Sequence, residues 1–429
     1  MKLRSAHLPL AIAAAVLGAG YAAACGSSSS DEPPATTPPA AGKQPPAPAS
    51  GAGPGDGPGY VFAINRLYLG DSDRNGVKSP TAWMQYGYDI DGRISTKEST
   101  DLCQPAADAA PSKVYPDGDG GVDNSFGKNV WPTFMQLTPT VATDINQSIT
   151  NGRFTVILDI EGLGAAPDYA PSLLTKLYSG AELSSPPAWD GSDVWPVLPG
   201  LLDNPADITS AKVKFTTSYV VGNTWVSGSR GRVTMILNLG AASLTMNVEQ
   251  AIISMDLAPD RTQGATGGII AGVLETDVFV EQVRQMAGSL NTDLCNPTAF
   301  EGIAKLIRQA SDIMKDSTQD PTQTCNGISI GIGFDMKPIV LGDVAPEPQP
   351  GADPCKCGNG QLDPGEVCDG TLLNGQDCQG LGVGYTGGTL ACDPTCVLFD
   401  EAGCTGGDGG HGGAGGAGGA GGGGGAGGG

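Results

Sequence analysis

Three clusters of Asp, Asn and Gly in the first third of the chain place oxygen atoms at spacings that suit a cation. The cluster at 71–76 matches the opening of an EF-hand-like calcium loop, in which ligands at alternate positions turn inward around a glycine. The twelfth position of that loop is Ala82 instead of Glu, so the match is incomplete. Ordinary turns without an ion are the alternative. The candidate Ca²⁺ ligands are Asp71, Asp73, Asn75, Asp89, Asp91, Asp117, Asp119 and Asp123.

Carboxylates are also the groups left for acid–base catalysis, because histidine is nearly absent. The two histidines, His7 and His411, lie near the ends of the chain, which excludes Ser-His-Asp catalysis, Cys-His catalysis and His-ligated zinc between them. Asp159 and Glu161 would share a face of a predicted strand and could form the carboxylate pair of a glycosidase. A solvated strand face is the alternative. We expect that the protein is not an enzyme.

The charge balance of the chain is strongly acidic. It has 45 Asp and Glu against 23 Lys and Arg, a formal net charge of −22. Such a field repels nucleic acid, which we exclude as a partner, and suits divalent cations or a basic partner.

The first 24 residues have the three parts of a secretory signal. A positively charged start is followed by an apolar run at 8–17 and by small residues directly before Cys25. This pattern resembles a bacterial lipoprotein signal, and the resemblance implies that Cys25 is diacylated and becomes the new N-terminus. Ala22 stands where that family usually has Leu, so ordinary cleavage after Ala24 is the alternative. Gly26, which is not Asp, favours the outer membrane by the same resemblance.

Three further segments have too little apolar bulk for a packed core. Residues 25–58 are rich in Pro, Ser and Ala, which predicts an extended linker behind the acylated cysteine. Residues 344–354 form a second predicted linker, and the Gly-rich residues 405–429 a disordered tail.

Period-two alternation of apolar residues predicts a β-rich domain over 59–343. Strands are expected at 60–69, 153–161, 212–226, 232–239, 244–249, 268–279 and 327–340, with turn residues between them. This pattern indicates a mainly β fold, an antiparallel β-sandwich or open barrel. One or two helices are expected, the clearest at 298–314.

Ten cysteines remain when Cys25 is set aside, which predicts five disulfides in an exported chain. The segment at 357–370 has the pattern Cys-Gly-Asn-Gly…Gly-Glu-x-Cys-Asp-Gly, and it resembles the disulfide-rich repeat of myxobacterial surface proteins. We expect a small cross-linked module at 355–404, in which the six cysteines from Cys357 to Cys404 leave 15 pairings open. The cysteines predicted to form disulfides are Cys103, Cys295, Cys325, Cys355, Cys357, Cys368, Cys378, Cys392, Cys396 and Cys404.

The four cysteines outside the six-cysteine set are predicted to pair as Cys295–Cys325 and Cys103–Cys355. The first bridge would clamp the predicted helix against the following strand, and the second follows by elimination. A zinc site is the alternative for the clustered cysteines, which their spacing and an oxidising compartment disfavour.

Together these features predict a cell-surface or outer-membrane lipoprotein with a non-enzymatic binding or structural role, such as adhesion or matrix contact, stabilised by Ca²⁺. Its expected partners are the membrane, through the acyl anchor, and a polysaccharide or protein. The alternatives are a secreted carboxylate-based glycoside hydrolase and a periplasmic ligand carrier, which would need a roomy apolar cavity.

Overall fold

A computed structural model describes residues 42–239, 242–346, 355–357, 360–363, 365–382, 384–393 and 396–406. The predicted signal peptide, Cys25, residues 25–41 of the first linker, most of the second linker and the tail from 407 lie outside these residues.

The large domain is built on one sheet of eleven strands. In β7 the alternation that predicted the strand arises because one face is buried: Val233 and Leu237 lie in the core while Ile236 is exposed. β10 is buried on both faces from Gly327 to Phe334. The strands are β1 (Tyr60–Tyr68), β2 (Thr155–Ile160), β3 (Tyr169–Gly180), β4 (Val194–Val197), β5 (Val213–Val221), β6 (Thr224–Val226), β7 (Gly231–Leu239), β8 (Ala242–Leu257), β9 (Ala265–Glu275), β10 (Gly327–Pro338) and β11 (Val340–Val344).

The strand pairings close the sheet on itself. The order β3-β2-β1-β10-β9-β8-β6-β5 is antiparallel throughout, and β5 pairs again with β3, with Thr175 opposite Phe215. β7 also pairs with β8, whereas β4 pairs with β3 and carries β11 as a parallel edge strand. The mainly β, antiparallel prediction is therefore confirmed, and closure leaves the ring without a free edge.

Five α-helices accompany the sheet in the part of the chain that the structure describes, more than the one or two helices predicted. The predicted helix at 298–314 is present but ends at Arg308. Residues 276–279, predicted as the end of a strand, begin a helix instead, because the buried positions from Thr276 onward recur at helical spacing. The helices are α1 (Pro111–Val114), α2 (Trp131–Leu137), α3 (Val141–Thr150), α4 (Thr276–Leu290) and α5 (Pro297–Arg308).

The described part of the first predicted linker, residues 42–58, lies along the domain. The Gly42 carbonyl accepts from the backbone N–H of Asp89 at 2.6 Å, and the Pro45 carbonyl accepts from the Tyr219 hydroxyl. Further along, the Gly57 N–H donates to the Gly162 carbonyl at 2.8 Å. This half of the segment therefore contacts the domain and does not stand free of it.

Five disulfides are present, as predicted, but two of the proposed pairs are wrong. Cys103 pairs with Cys325 and Cys295 with Cys355, instead of Cys295 with Cys325 and Cys103 with Cys355. Backbone hydrogen bonds between Gln104 and the segment 323–325 bring Cys103 within 5.1 Å of Cys325, measured between Cα atoms. This pairing joins residues 222 positions apart, which local spacing does not reveal.

The C-terminal region is held by the other three bridges. They are Cys357–Cys396, Cys368–Cys392 and Cys378–Cys404. Four two-residue strands accompany them: β12 (Gly387–Gly388), β13 (Ala391–Cys392), β14 (Phe399–Asp400) and β15 (Cys404–Thr405). Such short pairings bury little apolar area, so the cross-links supply most of the stability of this region.

None of the helices in the described residues has both the length and the apolar character needed to cross a bilayer.

Candidate functional site

Three carboxylates meet where two loops of the domain converge. Asp89 and Asp91 lie in the loop that follows the 3-10 helix Ala82–Gln85, and Asp123 stands shortly before the π-helical turn Phe126–Val130. One carboxylate oxygen from each residue lies within 4.8 Å of the other two. We call these three residues the acid trio.

Backbone contacts hold the two loops together. The Asp123 N–H donates to the Tyr88 carbonyl at 3.0 Å, and the Asp123 carboxylate accepts from the Ile90 N–H at 2.6 Å. Ile90 is buried with Tyr88 in the core, which anchors the chain between Asp89 and Asp91. Gly121 has φ +89°, and a Cβ there would meet the Arg93 carbonyl at 2.9 Å. Glycine is therefore required for this close approach.

Asp89 lacks a partner for one of its buried oxygens. Its side chain is 3% exposed, and its Oδ1 atom is buried without a hydrogen-bond partner. Lys43 Nζ lies 3.9 Å from the other oxygen, but the Lys43 side chain is 66% exposed, so solvent screens most of that attraction. A buried carboxylate oxygen in this position is costly unless a cation binds it.

The other cations near the acid trio are engaged elsewhere. The Lys128 ammonium donates to the Pro116 carbonyl at 2.6 Å, and Arg93 forms an ion pair with Asp101. Neither is aimed at the unpartnered oxygen of Asp89.

Two more carboxylates add negative charge around the trio. Asp312 is buried and accepts from the Ser329 N–H at 2.8 Å and from its hydroxyl at 2.5 Å. The Gln319 amide donates to Asp91 at 2.8 Å and to the Asp312 carbonyl at 3.1 Å. The other is Asp117, which the sequence predicted as a ligand. Asp312 and Gln319 were not predicted, because they lie about 200 positions from the trio and belong to no local motif.

Burial and mutual repulsion raise the pKa of four acids in this group, Asp91, Asp117, Asp123 and Asp312. Burial is the largest cause for Asp123, whose pKa lies well above its usual range, and the charges of Asp91, Asp117 and Asp312 add to it. Burial also raises the pKa of Asp117 and of Asp312 to about 7, and it raises that of Asp91. Burial and the neighbouring charges therefore disfavour the ionised form of these carboxyl groups, and a bound cation would favour it.

Three carboxylate oxygens that lie this close together could hold a divalent cation. Ca²⁺ takes six to eight oxygen ligands at about 2.3–2.6 Å, whereas Mg²⁺ takes six at about 2.0–2.1 Å.

Affinity for Ca²⁺ is expected to rise with pH. A raised pKa in the folded state means that the metal-free fold gains stability from protonation at low pH and loses it as pH rises through about 7 for Asp117 and Asp312. Ca²⁺ competes with those protons, so its dissociation constant should fall by about tenfold or more between pH 5.5 and 8.0. Calorimetric titration at constant ionic strength measures this change, and an affinity that does not vary with pH would contradict it.

No protein-family model, no curated protein and no solved structure matches this chain. Its function is therefore inferred from the geometry of its own residues.

The other predicted calcium ligands do not join the trio. Asp73 accepts from the Asn75 N–H at 2.9 Å within its own turn, as turn-forming aspartates do. Asp71 accepts from the Trp131 indole N–H at 3.4 Å, and Asp119 is exposed. Of the eight predicted ligands, Asp89, Asp91 and Asp123 come together, and Asp117 lies close enough to raise the pKa of Asp123.

A second acidic group in the described residues lies in the C-terminal region. Glu366 and Asp369 offer oxygens within 4.8 Å of each other and of the Cys396 sulfur. Cys396 is bonded to Cys357, so it cannot act as a thiolate ligand. Only two carboxylates remain, fewer than in the acid trio.

Asp159 and Glu161, the candidate hydrolase pair, line one cleft of about 570 Å³. The pKa of Asp159 is raised, first by burial and then by the charge of Glu161. Glu161 is engaged in an ion pair with Lys176. Tyr60 is the aromatic residue that lines this cleft, and no tryptophan is among its lining residues.

Proposed function

We propose that this chain is an exported cell-surface protein, lipid-anchored through Cys25 at the outer membrane, with a non-enzymatic binding role in adhesion or matrix contact. Ca²⁺ at the acid trio stabilises its binding domain. The observation that carries this proposal is the buried, unpartnered oxygen of Asp89 beside Asp91 and Asp123.

An extracellular setting agrees with the covalent structure. Five disulfides indicate an oxidising environment, because reducing compartments rarely retain them. Extracellular Ca²⁺ is abundant, so a site with a dissociation constant of about 10⁻⁴–10⁻³ M suffices there.

The ion would connect three stretches of surface loop. Asp89 and Asp91 belong to one loop and Asp123 to a second. The third contains Gln319, whose amide donates both to Asp91 and to the Asp312 carbonyl. Neutralising the trio removes repulsion among these loops, so the surface they form becomes ordered when Ca²⁺ is present. The partner at that surface is a polysaccharide or a protein.

Adhesion of cells that display the protein is expected to depend on both the anchor and the trio. Cells with wild-type protein should attach to matrix-coated surfaces in Ca²⁺, and the number of attached cells should fall several-fold when a chelator is added. Cys25→Ser should release the protein from the membrane fraction and abolish attachment. Asp89→Asn should leave the protein anchored but make attachment weak and insensitive to Ca²⁺.

The matched control is Asp119→Asn, an exposed acid of the same segment, which should behave as wild type. Intact-mass measurement of the membrane fraction reports acylation at Cys25 separately from adhesion. An unmodified Cys25 would contradict the anchor. Attachment by the Asp89→Asn variant that equals wild type would contradict the role of the trio.

A further inference from the structure

The domain contains an apolar cavity on the side of the sheet covered by α2, α3 and α4. It has a volume of about 290 Å³ and is bounded on its other side by the β7–β8 hairpin. Trp131, which is 1% exposed, lies against it, and so does Leu290, which is 58% exposed. The cavity therefore extends from the core to the surface.

The lining of this cavity is almost wholly hydrocarbon. Leu237 and Leu244 contribute from the sheet, and Met286 from α4. Its volume lies at the lower end of the range of small-molecule sites. The same volume holds about ten water molecules, so an aliphatic chain of about ten carbons would fill it.

One charged side chain, Asp144 of α3, lines the cavity. Asp144 accepts from the Thr140 hydroxyl at 2.8 Å, and no Lys or Arg is among the lining residues. A carboxylate or phosphate head would meet this charge and the net charge of −22 on the chain, whereas a cationic head would be attracted by both.

We propose that this cavity binds the aliphatic chain of a cationic amphiphile, with its ammonium head beside Asp144. This ligand site is independent of the acid trio and goes beyond the proposed role in adhesion. Burial of each additional methylene group should tighten binding about fourfold until the chain outgrows the cavity.

Titration of the full disulfide-bonded protein with decyltrimethylammonium, decanol and decanoate, each below its micelle concentration, tests the proposal. Binding is expected to be saturable at one site per chain and tightest for decyltrimethylammonium. Decanol should bind more weakly, and decanoate at least tenfold more weakly than the cation. Octyltrimethylammonium, which is two methylenes shorter, should bind about 16-fold more weakly than the decyl compound.

Two variants assign the binding to this cavity. Ala287→Phe fills it from α4 and should weaken binding of all three compounds at least tenfold. Asp144→Lys should invert the order so that decanoate binds more tightly than the cation. If Ala287→Phe fails to fold, as judged by circular dichroism, Leu290→Glu at the exposed end replaces it and should weaken binding of decanol.

Three results would overturn the proposal: no saturable binding of any compound, unchanged binding in a folded cavity variant, or wild-type affinity for decanoate equal to that for the cation. The Asp89→Asn variant should bind decyltrimethylammonium as wild type does. Loss of Ca²⁺ binding and loss of amphiphile binding are therefore distinguishable.

Discussion

Addition of about 10 mM Ca²⁺ to the metal-free domain is expected to raise its melting temperature by about 5 °C. If the dissociation constant is about 10⁻⁴ M, this concentration is 100-fold above it and stabilises the fold by about 2.7 kcal/mol. In a domain of this size each kcal/mol shifts the melting temperature by about 2 °C. Scanning calorimetry at pH 8, where the acids around the trio are ionised, measures the shift.

The Asp89→Asn variant should lose most of the stabilisation by Ca²⁺. It removes a buried charge whose Oδ1 has no partner, so the metal-free variant should be at least as stable as metal-free wild type. It also removes a ligand, so the variant should gain less than 1 °C from Ca²⁺. Asp119→Asn is the control variant and should keep the full shift in Ca²⁺. Mg²⁺ is the control ion, and at equal ionic strength it should not shift the melting temperature of the wild type. A shift of equal size in Asp89→Asn would exclude the trio as the site.

Removal of the Cys103–Cys325 bridge is expected to cost about 2–5 kcal/mol of unfolding free energy, because it closes a loop of 222 residues. The bridge also fixes the segment of Gln319, whose side chain accepts from the Cys103 N–H at 2.9 Å and donates to Asp91. The double variant Cys103→Ala, Cys325→Ala should therefore lose both stability and Ca²⁺ affinity. Urea unfolding with and without Ca²⁺ measures the two effects.

The control for this variant is the Cys378–Cys404 bridge, which lies in the C-terminal region and shares no contact with the trio. Its double Ala variant should leave the unfolding of the large domain and its Ca²⁺ affinity unchanged. If both double variants lost Ca²⁺ affinity equally, Cys103–Cys325 would have no specific link to the acid trio.

The strands could be predicted from the sequence because burial of one face leaves a local record. In β7 every second residue from Val233 to Leu237 is buried. β2 lacks this alternation, because the adjacent residues Ile157 and Leu158 are both buried. Helix α4 was not predicted, and its first residues were assigned to a strand, because β-branched and aromatic residues such as Val278 and Phe279 favour a strand locally. Their burial at helical spacing became visible only over the whole segment.

The candidate site was predicted in part for a similar reason. Asp89, Asp91 and Asp123 lie in Asp- and Gly-rich loops, which mark both turns and cation ligands. Asp71 and Asp73 share that composition, but Asp73 serves its own turn and Asp71 accepts from the Trp131 indole N–H, so composition alone could not separate the two groups. Asp312 and the Cys103–Cys325 pairing depend on contacts between distant segments, for which the sequence carries no local signal.

Flow dialysis with radioactive Ca²⁺ at pH 8 tests the central claim most directly, because it counts bound ions per chain. The full disulfide-bonded protein should bind one ion at the acid trio. The Asp123→Asn variant should bind none at the same concentration, while Asp119→Asn should bind one. Absence of bound Ca²⁺ in the wild type, or one ion still bound by Asp123→Asn, would contradict a calcium site at Asp89, Asp91 and Asp123.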